Sequence, residues 1–214
     1  MTAAADGERT LAKLNRIRTH NMPQAVLDRR EAVPALIARP QDWLVVAGLA
    51  GAAQELTAIT HDGPNVFGLG GAMGAAPMMA LGLALAQPGR RVLCVTGDGE
   101  LLMNIGALAT IALLNPSNLS IICVDNGKYG ETGNQDSHTG LGVRLDLIAA
   151  GAGIPAVFTI NTRAEIAEGR KLLEAGVGLC FILLRVKEGP ALKIKRAMQP
   201  HVVRDRFRAA LLAA

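Results

Sequence analysis

Val92-Leu93-Cys94-Val95-Thr96-Gly97-Asp98-Gly99-Glu100 is the stretch on which the fold turns. Residues 92–96 form an apolar run with β-branched members, and its five residues suit a buried strand better than a helix. The run stops at Gly97-Asp98-Gly99. Residues 101–114 are rich in helix formers, with Leu101, Ile105, Leu108 and Ala112 on one helical face. A second buried strand, 119–124, ends in Asp125-Asn126-Gly127. The spacing predicts a strand, a helix and a second strand parallel to the first. Such a unit belongs to an α/β fold, a three-layer doubly wound sheet of mainly parallel strands with helices on both faces.

Asp98 and Asn126 then fall at the carboxyl ends of neighbouring strands, where an open α/β sheet holds its ligands. A carboxylate and an amide oxygen are hard donors of the kind Mg²⁺ accepts alongside phosphate oxygens. Gly99 lets the backbone approach a phosphate, and a helix starting near Glu100 points unpaired N–H groups at the same anion. The unit reads as a metal-diphosphate seat, the alternative being a strand-ending turn and an unrelated Asn-Gly turn.

Outward from this unit, residues 1–22 read as a basic arm, and 23–214 as one domain. Helix is expected over 24–38, with Pro34 as an awkward interruption. A strand over 43–47 runs into Gly48-Leu49-Ala50-Gly51-Ala52, ahead of a helix over 53–60. That turn suits either a phosphate contact at Gly51 or a plain strand-to-helix connection. Glycines at 68, 70, 71 and 74 around the single long side chain of Met73 suit backbone lying against a flat ligand, because each Gly weakens a helix by about 1 kcal/mol. Met73 as ordinary core filler is the competing reading. A small-residue helix over 75–86 follows, and the loop 127–135 carries glycines and polar residues suited to ligand contact. Downstream, helix is expected over 145–151, strand over 157–160, helix over 162–175 with Thr162 and Glu165 as a capping box, strand over 180–186 and a closing helix over 205–214.

Gly-Asp-Gly, then 26 residues, then an Asn ending an apolar strand resembles the cofactor signature of thiamine diphosphate enzymes. In that family the Asp and Asn side chains bind the metal together with the backbone carbonyl two residues past the Asn. The resemblance thus implies Asp98, Asn126 and the carbonyl of Lys128 as ligands of Mg²⁺, and Gly97, Gly99, Glu100, Tyr129 and Gly130 as neighbours of the cofactor. Gly71-Ala72-Met73-Gly74 resembles the Gly-x-Met-Gly loop of acetohydroxyacid synthases and of sulfopyruvate and phosphonopyruvate decarboxylases. There the Met props the cofactor into a bent shape, and a carbonyl two residues earlier, Gly71 here, accepts from its aminopyrimidine. Tyr129-Gly130-Glu131-Thr132-Gly133-Asn134-Gln135 is similar in wording to the β subunit of sulfopyruvate decarboxylase.

The likeness spans residues 25–212 and is specific at 68–74 and 97–135. It implies a thiamine diphosphate- and Mg²⁺-dependent decarboxylase of a 2-oxo acid. A carboligase of the acetolactate synthase kind or a 2-oxo acid oxidoreductase subunit would use the same cofactor. In the family an activating Glu lies on a separate pyrimidine-binding domain, and 214 residues are too few for both domains. A partner α subunit in a hetero-oligomer is therefore expected to supply it. Within this chain Glu131 and His138 are the candidate proton-handling groups. The relatives' Thr-Gly-x-x-Ser-Arg-Glu pattern reads Gly51-Ala52-Ala53-Gln54-Glu55 here, so the cation expected to meet an anionic substrate tail is missing at Gln54.

Composition excludes other classes. A formal charge of +4 with 3% aromatics offers no basic stripe interleaved with aromatics, so nucleic-acid binding is not expected. Cys94, Cys123 and Cys180 are isolated within apolar runs and read as small hydrophobes in a reducing compartment. With neither a signal-like start nor a long uncharged apolar run, no membrane role is expected, and the cytoplasm is the expected location.

Overall fold

The computed structural model describes residues 23–213 apart from 191, 193, 196 and 198, so the expected arm at 1–22 lies outside the described residues. Six strands, β1 (Leu44–Ala47), β2 (Val66–Gly68), β3 (Val92–Gly97), β4 (Leu119–Asp125), β7 (Ala156–Ile160) and β8 (Cys180–Arg185), form one sheet in the order β2-β1-β3-β4-β8-β7. Every pairing in it is parallel. A small antiparallel pair, β5 (Lys128–Tyr129) and β6 (Gln135–Asp136), stands beyond the end of β4.

Alternate side chains of the strands feed two cores. One face buries Val45, Ala47, Leu93, Val95, Ile122 and Val124 under α1 (Arg29–Leu36), α2 (Ala50–Thr60) and α7 (Arg163–Ala175). The other buries Leu44, Val46, Cys94, Ile121, Cys123 and Phe181 under α3 (Ala76–Ala86), α4 (Asp98–Leu102), α5 (Ala107–Leu114), α6 (Leu145–Gly151) and α8 (Pro200–Leu212). Strands covered on both faces read as continuous apolar runs, which is why β3 and β4 stand out in the sequence. The expected three-layer doubly wound architecture is the one observed.

Local boundaries depart from expectation by more than one residue in four places. The single helix expected over 101–114 is two, α4 and α5, broken at residues 103–106. There the Asn104 side chain donates to the Gly74 carbonyl (3.1 Å), an external bond that a continuous helix would not present. Helix 24–38 shrinks to Arg29–Leu36, because Leu27 pairs with Val186 beside β8 and the Asp28 carboxylate caps Arg30 N–H (2.9 Å). α2 begins at Ala50, three residues early, with Ala50 itself at φ 51°. The closing helix begins at Pro200, a favoured first helical residue. By contrast, α7 opens as read, with Glu165 Oε2 accepting from Asn161 N–H (2.7 Å) and Thr162 N–H (2.8 Å).

α3 contains no polar residue, and its outer face exposes Met78, Met79 and Leu85. Beside it, Met103, Leu113 and Leu114 are exposed on and before α5, with Leu113 at 84%. A helix apolar all round is normally covered on both sides.

Candidate functional site

β3 and β4 are in register, with Gly97 opposite Val124, so the chain leaves both strands at the same edge. Asp98 follows the first and Asp125-Asn126 ends the second, roughly one inter-strand spacing of 4.8 Å apart. The backbone N–H of Asn126 is directed at the Asp98 carboxyl. A cavity of about 590 Å³ opens at this edge. Its wall includes Gly51, Met73, Gly97, Asp98, Gly99, Glu100, Asn126, Lys128, Tyr129, Gly130 and Glu131, all singled out from the sequence.

Four residues named from the sequence stand elsewhere. Gly71 and Ala72 are exposed next to Met73 and do not line the cavity. His138 also lies off it, its Nδ1 3.4 Å from the Tyr129 hydroxyl. Gln54 is off the wall too, so that position does not face the cavity.

The acidic centre is heavily buried: Asp98 is 1% exposed and Asp125 5%. Burial pushes the Asp98 carboxyl up, opposed by the hydroxyls of Ser137 and Thr139 and by backbone N–H groups. Asp125 is pushed up to about 6, first by burial and then by the charge of Asp98. The Thr139 hydroxyl spans them, 2.9 Å from Asp98 Oδ2 and 2.7 Å from Asp125 Oδ1. Ser137 donates to the same Asp98 oxygen. The Asn126 amide oxygen accepts from Lys128 N–H (3.1 Å) and, as a carbonyl, keeps a second lone pair.

The glycines have packing reasons that the sequence does not reveal. A Cβ at Gly99 would stand 2.5 Å from the Tyr129 ring, so this glycine seats an aromatic across the turn. At Gly51 the space is taken by the guanidinium of Arg29, 2.4 Å from a built Cβ. Arg29 is itself buried, paired with Glu55 (3.2 Å), and donates to the Pro190 carbonyl (3.3 Å). Glu100 turns back beneath the turn, its Oε2 accepting from Leu49 N–H (3.1 Å), the Thr96 hydroxyl (3.0 Å) and Gly97 N–H (3.4 Å). The helix expected to aim N–H groups at a phosphate is only five residues long, so its dipole adds little.

Arg29, Glu188, Gly189 and Pro190 complete the wall and were missed in the sequence. Glu188 to Pro190 follow the end of β8, another strand at the same edge, and that topological position was the available signal. No sequence signal marks Arg29. Among the described residues there is no cluster of three His, Cys, Asp or Glu suited to a metal. The donors gathered here, one carboxylate with an amide oxygen beside it, instead fit a hard ion that keeps outside oxygens as ligands.

Fold and site together define a doubly wound α/β domain with its cavity at the carboxyl edge of the sheet. Residues 49–182 match the family described as thiamine pyrophosphate enzyme, C-terminal TPP binding domain, and the chain belongs to that family. It is 39% identical over 116 residues to sulfopyruvate decarboxylase subunit beta of Methanocaldococcus jannaschii, covering 54% of this chain and 61% of the relative. It is 35% identical over 182 residues to phosphonopyruvate decarboxylase of Streptomyces hygroscopicus, covering 84% of this chain and 45% of the relative. The chain thus spans less than two thirds of either protein. A solved thiamin diphosphate-dependent enzyme from Mycobacterium smegmatis shares the fold, with TM-score 0.62 at 22% identity over 79% of this chain and 34% of that one. No helix among the described residues is long and apolar enough to cross a membrane.

Proposed function

We propose that this chain is the β-type, diphosphate-binding subunit of a split Mg²⁺- and thiamine diphosphate-dependent decarboxylase. Its substrate is a 2-oxo acid such as 3-sulfopyruvate or 3-phosphonopyruvate, and its products are CO₂ and an aldehyde. The observation that carries this is the in-register exit of β3 and β4, which gathers Asp98 and Asn126 at one cavity. Asp98, the Asn126 amide oxygen and the Lys128 carbonyl would hold the cation. Met73 would support the organic part of the cofactor from the cavity wall, with Gly71 and Ala72 beside it, while Gly51 and the turn from Gly97 to Glu100 would line its diphosphate. Thiamine diphosphate, when bound, supplies the ring that takes up the electrons freed as CO₂ leaves. Tyr129, Gly130 and Glu131 form part of the wall, with Glu131 as a candidate proton carrier on it and His138, off the cavity, able to act only through the Tyr129 hydroxyl.

Two relatives support a separate partner. The Streptomyces relative has more than half its length beyond the match, while the Methanocaldococcus one is a subunit beta. A separate α chain carrying the pyrimidine-binding half is the expected occupant of the apolar face formed by Met78, Met79, Leu85 and Leu113. Co-purification of that partner, followed by assay with sulfopyruvate, phosphonopyruvate and pyruvate, tests the proposal. CO₂ and an aldehyde in stoichiometric yield support it. An acetolactate-type product, reduction of a redox dye, or full activity of the single chain overturns it.

A further inference from the structure

We propose that Ser137 and Thr139 are positioning residues that hold Asp98 in the one orientation able to take a cation. The inference rests on Asp98 as a cation ligand and goes beyond it, because neither hydroxyl is among the proposed ligands. Ser137 is fully buried, and its hydroxyl donates to Asp98 Oδ2. Thr139 Oγ1 lies 2.9 Å from that same Oδ2, 2.7 Å from Asp125 Oδ1 and 2.8 Å from Ser137 Oγ. Both hydroxyls converge on one carboxylate oxygen, and among the described residues no side chain hydrogen-bonds Asp98 Oδ1. A carboxylate pinned through Oδ2 presents Oδ1 in a fixed direction.

Thr139 does more than pin. A hydroxyl has one proton to give and two lone pairs. That one proton can go to Asp98 or to Asp125 but not to both at once, and the Thr139 oxygen, within reach of Asp98, Asp125 and Ser137, lies between the ends of β3 and β4. Asp125 in turn accepts from Gly127 N–H (3.0 Å), which shapes the turn presenting Asn126. The bridge thus fixes both the direction of the carboxylate and its separation from the amide oxygen. Outer groups that orient metal ligands usually matter by 10–100-fold in metal affinity.

The test uses the full chain, with its partner where that co-purifies. Mn²⁺ stands in for Mg²⁺, and its affinity is read by electron paramagnetic resonance with saturating thiamine diphosphate, together with the melting temperature without cofactor. T139V is expected to lose about 10–100-fold in Mn²⁺ affinity, and T139S, which restores the hydroxyl, to bind within about threefold of wild type. Binding by a folded T139V within about threefold of wild type overturns the inference, as does a T139S defect equal to that of T139V. Should T139V not fold, S137A decides: a loss of about tenfold supports the role, and an unchanged affinity overturns it. If wild type binds no Mn²⁺ when thiamine diphosphate is present, the cation seat itself fails, which is a distinct result.

Discussion

Gly48 is enclosed by the side chain of Glu100. A Cβ there would stand 1.9 Å from Glu100 Oε2, so Gly48→Ala displaces the carboxylate that gathers Leu49, Thr96 and Gly97. Overpacking of this kind, with lost hydrogen bonds, is expected to cost about 2–3 kcal/mol in urea denaturation. Gly82, in the middle of α3 with open space around it, sets the contrast: Gly82→Ala should add about 0.5–1 kcal/mol. The buried carboxyls predict a pH dependence. Asp98, Glu100 and Asp125 all have raised pKa values, Asp125 about 6, each with burial as the first cause. Between the usual carboxylate range near 4 and about 6, the folded chain binds more protons than the unfolded one, so stability falls as pH rises through that window. The cofactor-free chain should therefore melt higher at about pH 5 than at about pH 7. Below that range Asp146, whose pKa is lowered, gives the opposite trend. Asp125→Asn should flatten the rise in a series of melting curves, and an unaltered slope would count against it.

Among the elements, the turn between α4 and α5 has the most to say about the site. Asn104 reaches across it to the Gly74 carbonyl, so this turn holds the end of the Met73 loop. Asn104→Ala is expected to cost about 1 kcal/mol of stability and to weaken thiamine diphosphate binding measured by calorimetry, with Mn²⁺ affinity little changed. Equal losses of both would mean that the turn serves the whole edge and not the Met73 loop. That the turn was invisible in the sequence is instructive. Residues 101–114 have good helix formers and an apolar stripe, and nothing local records that Asn104 finds its partner thirty residues upstream. The same applies to Leu27, drawn out of helix by its pairing with Val186. What was legible was what depends on local pattern: apolar runs of strand length, and polar residues stranded where those runs stop. Asp98 and Asn126 were singled out that way and Met73 from the glycines around it, and all three line the cavity. Arg29, Ser137 and Thr139 were not, because a buried polar side chain is defined by the groups it meets.

On the scale of the whole molecule, the outer surface of α3 and α5 is the feature left without a companion among the described residues. Leu113→Glu or Met79→Glu is expected to abolish association with the proposed α chain in size-exclusion chromatography, leaving cation binding by this chain within about threefold. Retained association would move the contact to another face.

The path of the chain into the sheet has a practical result. Leu27 pairs with Val186, its carbonyl accepts from Lys187 N–H (2.9 Å), and Arg29 and Arg30 both grip the Pro190 carbonyl. The far wall of the cavity is thus fastened by residues that lie about seventy positions ahead of the Gly-Asp-Gly turn. Anyone trimming a gene from its 5′ end would expect to keep every ligand-bearing loop after deleting through codon 30. The product should nonetheless be a poor receptor, its strand exits no longer braced.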